Sequence, residues 1–232
     1  MASGEPELFA SIQGEGFSVG VPSVFVRVAE CNLTCTWCDT RYTWDWERYD
    51  RATETMQLSV DEVVARVLAA AGDSIQNAVL TGGEPLLHQE DLVAVATQLR
   101  AKGFRIEIET NGAIEPSDAL IAVVDQFNVS PKLESSGNKK TARLRTGPLT
   151  RFAALPNAWF KFVACGAEDL DEIESIAKTY SLPRDRILVM PEGTEPVTLL
   201  ERSKSLVPLV QARGFRFGTR LHVLLWGDGR GR

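Results

Sequence analysis

Cys31, Cys35 and Cys38 fall within eight residues, close enough for three thiolates on one short loop to hold a single metal centre. A mononuclear zinc site wants a fourth protein ligand, for which Cys165, His88 and His222 are the candidates. None of them sits in a second paired-cysteine or paired-histidine motif. Three cysteines alone suit a 4Fe-4S cluster with one iron left open for a small molecule. Structural zinc and a plain electron carrier stay as alternatives, whereas a disulfide framework would not crowd its cysteines so tightly.

Such a loop needs a frame that presents it. Short apolar runs suited to buried parallel strands recur at residues 23–28, 78–81, 105–109, 126–130, 159–163 and 186–190. Stretches of helical period separate them around 60–71, 89–102, 117–124, 169–180 and 196–213, so the pattern reads βαβα. Ser59 with Glu62 three residues later forms a capping box, and Gly103 stands where a helix should stop. Six strands and five helices are too few for a closed eightfold barrel, so an incomplete (β/α)6 barrel or an open doubly wound sheet is expected. No repeat or linker divides the chain, which reads as one domain over 1–232 with an N-terminal extension and a C-terminal strand or tail. In parallel α/β folds ligands bind at the C-terminal strand ends. Here those ends carry the cysteines, then Gly82, Gly83, Glu84 and Pro85, then Thr110 to Gly112, then Ser130 to Lys132, then Pro191 to Gly193.

The 232 residues are 44% hydrophobic and 24% charged, an ordinary globular composition. Lys and Arg number 25 against 31 Asp and Glu, a net charge of -6 without the basic stripe that neutralises phosphates, which argues against nucleic-acid binding. No apolar run is long enough to span a bilayer, and the first residues lack a signal-peptide pattern, so a cytoplasmic protein without membrane attachment is expected.

The CxxxCxxC spacing with Trp37 before its last cysteine, followed one βα unit later by the Gly-Gly-Glu-Pro turn, resembles radical S-adenosylmethionine enzymes. That resemblance implies a partial TIM-type barrel, with Trp37, Gly82, Gly83 and the Glu84 side chain holding the nucleotide at the open iron. A reduced cluster then passes one electron into the carbon-sulfur bond and releases a 5'-deoxyadenosyl radical, so the protein's task is orientation and exclusion of water.

Over nearly the whole chain the sequence is similar to the 7-carboxy-7-deazaguanine synthase family. The matching segments are residues 11–16 (SIQGEG), 25–27, 38–40 (CDT), the GGEP turn, 109–112 (ETNG), 130–132 (SPK), and the ending around His222 and Trp226. The resemblance implies contraction of 6-carboxy-5,6,7,8-tetrahydropterin to a deazaguanine with loss of ammonia, regeneration of S-adenosylmethionine, and help from magnesium. It implies Thr40 as the magnesium ligand and Arg27 as a two-toothed grip on the substrate carboxylate. Ile12, Gln13, Gly14, Glu15, Thr81, Glu109 and His222 complete the substrate set; Asn111, Ser130, Lys132 and Glu192 complete the nucleotide set.

His222 is placed in an apolar C-terminal strand, and His88 reads as structural. The aromatic stretch 42–49 is expected to cap the cluster, face a reductase such as flavodoxin, close a subunit interface or simply pack; 137–145 reads as a solvated, mobile loop. The resemblance also implies a homodimer. Two other readings are an activating enzyme that abstracts hydrogen from a protein glycine, and a zinc-stabilised binding module without enzymatic activity.

Overall fold

Alternation of polar and apolar residues along the strands fixes which face of the sheet turns inward. The computed structural model describes residues 5–231. It begins with β1 (Leu8–Ile12), β2 (Pro22–Val28), the one-turn α1 (Arg51–Glu54), α2 (Val60–Ala71) and β3 (Asn77–Gly82). There follow α3 (Gln89–Ala101), β4 (Arg105–Thr110), α4 (Asp118–Val123), β5 (Gln126–Val129), α5 (Lys140–Arg143) and α6 (Thr146–Ala154). The chain ends through β6 (Ala158–Ala164), α7 (Ala167–Thr179), β7 (Ile187–Pro191), α8 (Pro196–Ala212), β8 (Arg216–Phe217) and α9 (Leu221–Trp226).

The strands lie in sequence order in one sheet: β2 to β8 run parallel, and β1 pairs antiparallel with β2. The sheet starts at β1 and stops at β8 without closing, so six βα units (β2 with α2, β3 with α3, β4 with α4, β5 with α6, β6 with α7, β7 with α8) make an incomplete barrel. The predicted capping box at Ser59 is formed, and Gly103, at a φ of +87°, ends the turn after α3.

Four expectations need correction. A sixth helix, α6, was missed because Gly147 and Pro148 look like breakers. Both lie in its first turn, where a backbone N–H has no partner within the helix to lose. The edge strand β1 is a further element. His222 sits in the first turn of α9, not in a strand. Segment 137–145 is solvated over much of its length but is not simply a loop: Lys140–Arg143 form a helical turn, and Arg143 is buried, pairs with Glu172 at 2.7 Å and donates to the Lys132 carbonyl at 2.8 Å.

Outward residues such as Ile106, Ile108, Phe127 and Phe160 are fully buried in the helix layer, with Phe127 edge-on to Phe152 of α6 at 5.5 Å. Burial of these side chains is the main stabilising term, at about 25 cal/mol per Å² removed from water. The alternate residues build a polar interior. Glu107 accepts from Asn128 at 2.9 Å and from Gln126 at 3.3 Å, Gln126 accepts from Arg105 at 2.7 Å, and Asn77 donates to Ser23 at 2.8 Å. Arg105 also pairs with the buried Glu107, so the charge inside the barrel is neutralised and hydrogen-bonded. These residues fill the lumen beneath the strand ends.

Candidate active site

The strand ends open on a cavity of about 250 Å³. Cys31, Cys35, Trp37, Cys38 and Thr40 line it from the loop after β2, and Gly82 and Gly83 from the end of β3. The glycines are there for packing: a Cβ on Gly83 would stand 2.0 Å from the Glu30 carbonyl oxygen, and one on Gly82 would stand 2.1 Å from that of Val28. Hydrogen bonds from Gly83 N–H to Val28 and from Glu84 N–H to Glu30 lock the turn against the start of the cysteine loop.

Glu84 corrects an expectation. Its side chain is fully buried outside the cavity lining and accepts from Thr110 Oγ1 at 2.7 Å, Asn111 N at 2.7 Å and Leu86 N at 3.0 Å. With its oxygens turned to these donors, the carboxylate stands behind the turn, and Gly82 and Gly83 are what the turn presents to the cavity. Burial raises the pKa of Glu84 against those donors.

Every other residue assigned from the sequence lines the cavity. Asn111 donates to Asn32 at 2.7 Å, and Lys132 donates to Ser130 at 3.0 Å while lying 5.5 Å from the centre of the Trp37 ring. Glu192 reaches the cavity as one half of an ion pair with Arg202. His88, read as structural, bonds the Ala29 carbonyl at 2.9 Å.

Among the described residues no three His, Cys, Asp or Glu side chains converge on a single-ion site. The thiols fit an iron-sulfur cluster in another respect: N–H groups point at their sulfurs. Trp44 Nε1 lies 3.3 Å from Cys38 Sγ, and Asn138 Nδ2 lies 3.2 Å from Cys35 Sγ. Burial pushes the Cys31 thiol up to about 12 and raises Cys35 as well, so these protons leave when a metal centre takes the sulfurs.

The Radical SAM superfamily profile matches residues 26–155. Against the 7-carboxy-7-deazaguanine synthase of Pyrobaculum aerophilum the chain is 40% identical over 228 residues, which cover 97% of this chain and 96% of that protein. The chain belongs to the 7-carboxy-7-deazaguanine synthase family of radical SAM enzymes. The synthase of Halobacterium salinarum is 37% identical over 96% of this chain and 90% of its own. A crystal structure of QueE from Escherichia coli matches with a TM-score of 0.70 at 25% identity, over 93% of this chain and 92% of that one.

In this synthase-family chain the cavity also contains a charge cluster centred on Glu15. Lys161 Nζ lies 2.8 Å from Glu15 Oε2 and 2.5 Å from Glu109 Oε2. Arg220 Nε lies 2.8 Å from Glu15 Oε1; the same guanidinium pairs with Asp39 and donates to the Gly193 carbonyl at 2.8 Å. Gln13 and Asn128 each donate to Glu109 Oε1 at 3.1 Å. Burial opposes ionisation of Glu15, but Lys161 and Arg220 outweigh it and hold the carboxyl well below its ordinary range.

His222 packs over Gly14, its Nδ1 2.2 Å from where a Cβ would stand, with Nε2 3.9 Å from Glu15 Oε1. Burial keeps the imidazole pKa below its ordinary value despite Glu15 nearby. Arg27 lines the same cavity with its Nε committed to Glu7 at 2.7 Å, so a two-toothed grip would fall to its terminal nitrogens.

Lys161, Arg220 and Asp39 were given no role from the sequence. Lys161 had a signal, since a lone lysine inside the apolar strand β6 must point at a partner. Asp39 stood within the CDT match. Arg220 had none, because only the return of the chain over the barrel mouth brings it beside residues some 180 and 205 positions away.

Proposed function

We propose that this chain converts 6-carboxy-5,6,7,8-tetrahydropterin to 7-carboxy-7-deazaguanine by ring contraction with loss of ammonia. The observation that carries the reading is one cavity lined by the three cysteines and, facing them, by Glu15, Glu109, Gln13 and Arg27. Cys31, Cys35 and Cys38 hold the 4Fe-4S cluster, with Gly82, Gly83, Asn111, Ser130 and Lys132 around S-adenosylmethionine. When bound, these cofactors supply the 5'-deoxyadenosyl radical that takes a hydrogen atom from the substrate.

The chain's own residues bind and orient. Glu15 and Glu109, held by Lys161 and Arg220, retain lone pairs for the N–H groups of a guanine-like edge, and Gln13 adds an amide. Arg27 and the neutral His222 face the carboxylate end. Thr40 supplies an oxygen to magnesium, a hard cation that completes its shell with water and substrate oxygens. The polar plug of Glu107, Gln126 and Asn128 closes the floor beneath the substrate.

The reading extends to one catalytic domain in a cytoplasmic homodimer reduced by a flavodoxin-like donor. No helix among the described residues is long and apolar enough to cross a membrane. An anaerobic assay of the reconstituted protein with dithionite, S-adenosylmethionine, magnesium and the pterin, read by mass spectrometry, tests the reaction. Deazaguanine is expected, and Cys31→Ala, Cys35→Ala or Cys38→Ala should abolish both it and deoxyadenosine. Deoxyadenosine without deazaguanine would overturn the substrate and leave the radical chemistry standing.

A further inference from the structure

We propose that Asn138 and Trp44 tune the reduction potential of the iron-sulfur cluster by donating N–H hydrogen bonds to two of its cysteine sulfurs. The inference rests on the reading that Cys31, Cys35 and Cys38 ligate a 4Fe-4S cluster, and it is independent of the pterin assignment.

Each of the three sulfurs has its own N–H donor. Cys31 is served by the Leu33 backbone, Cys35 by Asn138 Nδ2 at 3.2 Å and Cys38 by Trp44 Nε1 at 3.3 Å. The Thr40 hydroxyl lies further from Cys38 Sγ, at 3.6 Å. The backbone donor and Trp44 belong to the loop between β2 and α1, whereas Asn138 comes from 103 residues further along the chain than Cys35.

Asn138 is also aimed. Its Oδ1 accepts from Thr34 N–H at 3.0 Å, which turns the amide nitrogen toward Cys35, and its carbonyl accepts from the buried Arg143 at 3.2 Å. Arg143 is itself fixed by Glu172 and the Lys132 carbonyl. This explains why a Gly-Asn-Lys-Lys segment that reads as loop is pinned to the barrel: it carries a donor to the cluster. Of the aromatic residues in 42–49, Trp44 lines the cavity, beside Cys38.

Reduction adds one electron, from an external low-potential donor, to the cluster and its thiolates. The added negative charge is stabilised by N–H dipoles pointed at the sulfurs, so each donor raises the potential. Removing a donor therefore lowers it. Loosening the loop and admitting water acts in the opposite direction, because water also stabilises the more highly charged reduced state. The sign of the shift separates a lost hydrogen bond from a disturbed structure.

The experiment is a mediated redox titration of reconstituted wild-type, Trp44→Phe, Asn138→Ala and double-variant protein, followed by the EPR signal of the reduced cluster without pterin. Trp44→Phe removes the N–H while keeping an aromatic ring at the position. The double variant should show about a tenfold smaller ratio of reduced to oxidised cluster at fixed potential, equivalent to 59 mV for a one-electron couple. Each single variant should show part of that shift. Fully loaded variants with unchanged or raised potentials would overturn the proposal.

If a variant fails to take up its cluster, the wild-type protein still decides. Nitrogen-15 placed in the asparagine side-chain amide, or in the indole, should couple to the reduced cluster in pulsed EPR. Absence of both couplings would overturn the proposal. A cluster that forms and titrates while no deazaguanine is made would sink the substrate reading and leave this inference intact.

Discussion

Glu84 and Glu15 each follow a glycine at the barrel mouth, and both belong to motifs that promise ligand contact. Glu84 is sealed against solvent and faces three neutral donors of its own fold; Glu15 lines the cavity between two cations. Neutral donors, one hydroxyl and two backbone N–H groups, fix a carboxylate as an internal strut, tying the β3 turn to the end of β4. Lysine and arginine instead keep a carboxylate ionised at the wall of the cavity, with lone pairs left over. The difference teaches that a motif residue's task is set by the charge and direction of its partners.

Glu84→Ala should sharpen that comparison most. It orphans three buried donors at about 1–3 kcal/mol each, so a loss of at least about 3 kcal/mol in urea denaturation of the apoprotein is expected. Unchanged stability would remove Glu84 from its structural role.

Glu15→Gln should act on binding. Loss of a charged acceptor costs about 2 kcal/mol, or roughly a thirtyfold weaker pterin affinity by calorimetry, while S-adenosylmethionine affinity stays near wild type. Equal losses for both ligands would break the distinction between strut and ligand contact.

The smallest effect is in the pH dependence, where the two carboxylates should have opposite signs. Glu15 has a folded pKa below the unfolded 4.5, so its stabilisation is complete above 4.5 and is lost as pH falls through the folded value. Glu84 has a folded pKa above 4.5, so its contribution is complete below 4.5 and is lost as pH rises through the folded value. Acidification from pH 7 to 4 should therefore narrow the stability gap between wild type and Glu15→Gln, and widen it for Glu84→Gln. Parallel slopes in urea midpoints would contradict the assigned environments.

Much of the fold was legible in the sequence. The six central strands and five of the six helices of the βα units lie within a few residues of their expected bounds, because apolar periodicity and caps are local signals. The missed α6 and the partly misread 137–145 share a cause: Gly, Pro, Asn and Lys look like loop until it is known that a residue such as Arg143 is buried against Glu172. The inward alternation of Arg105, Glu107, Gln126 and Asn128 is written in the sequence as period two, within stretches that read as apolar strand runs. Its meaning as a lumen plug needed the register that sets Glu107 opposite Gln126 and Glu109 opposite Asn128.

The sequence by itself determined the chemistry on offer: three thiols at CxxxCxxC spacing, a glycine turn one βα unit later, and a set of polar strand ends on one face. Short-range spacing suffices there, because neighbours along a loop are neighbours in space. Tertiary structure alone decided that Glu84 is closed off, that Lys161 and Arg220 govern Glu15, and that Asn138 and Trp44 reach the cysteine sulfurs. Those contacts join residues as far apart as 205 positions, and only closure of the barrel mouth by the returning C-terminal segment brings the most distant of them within hydrogen-bonding range.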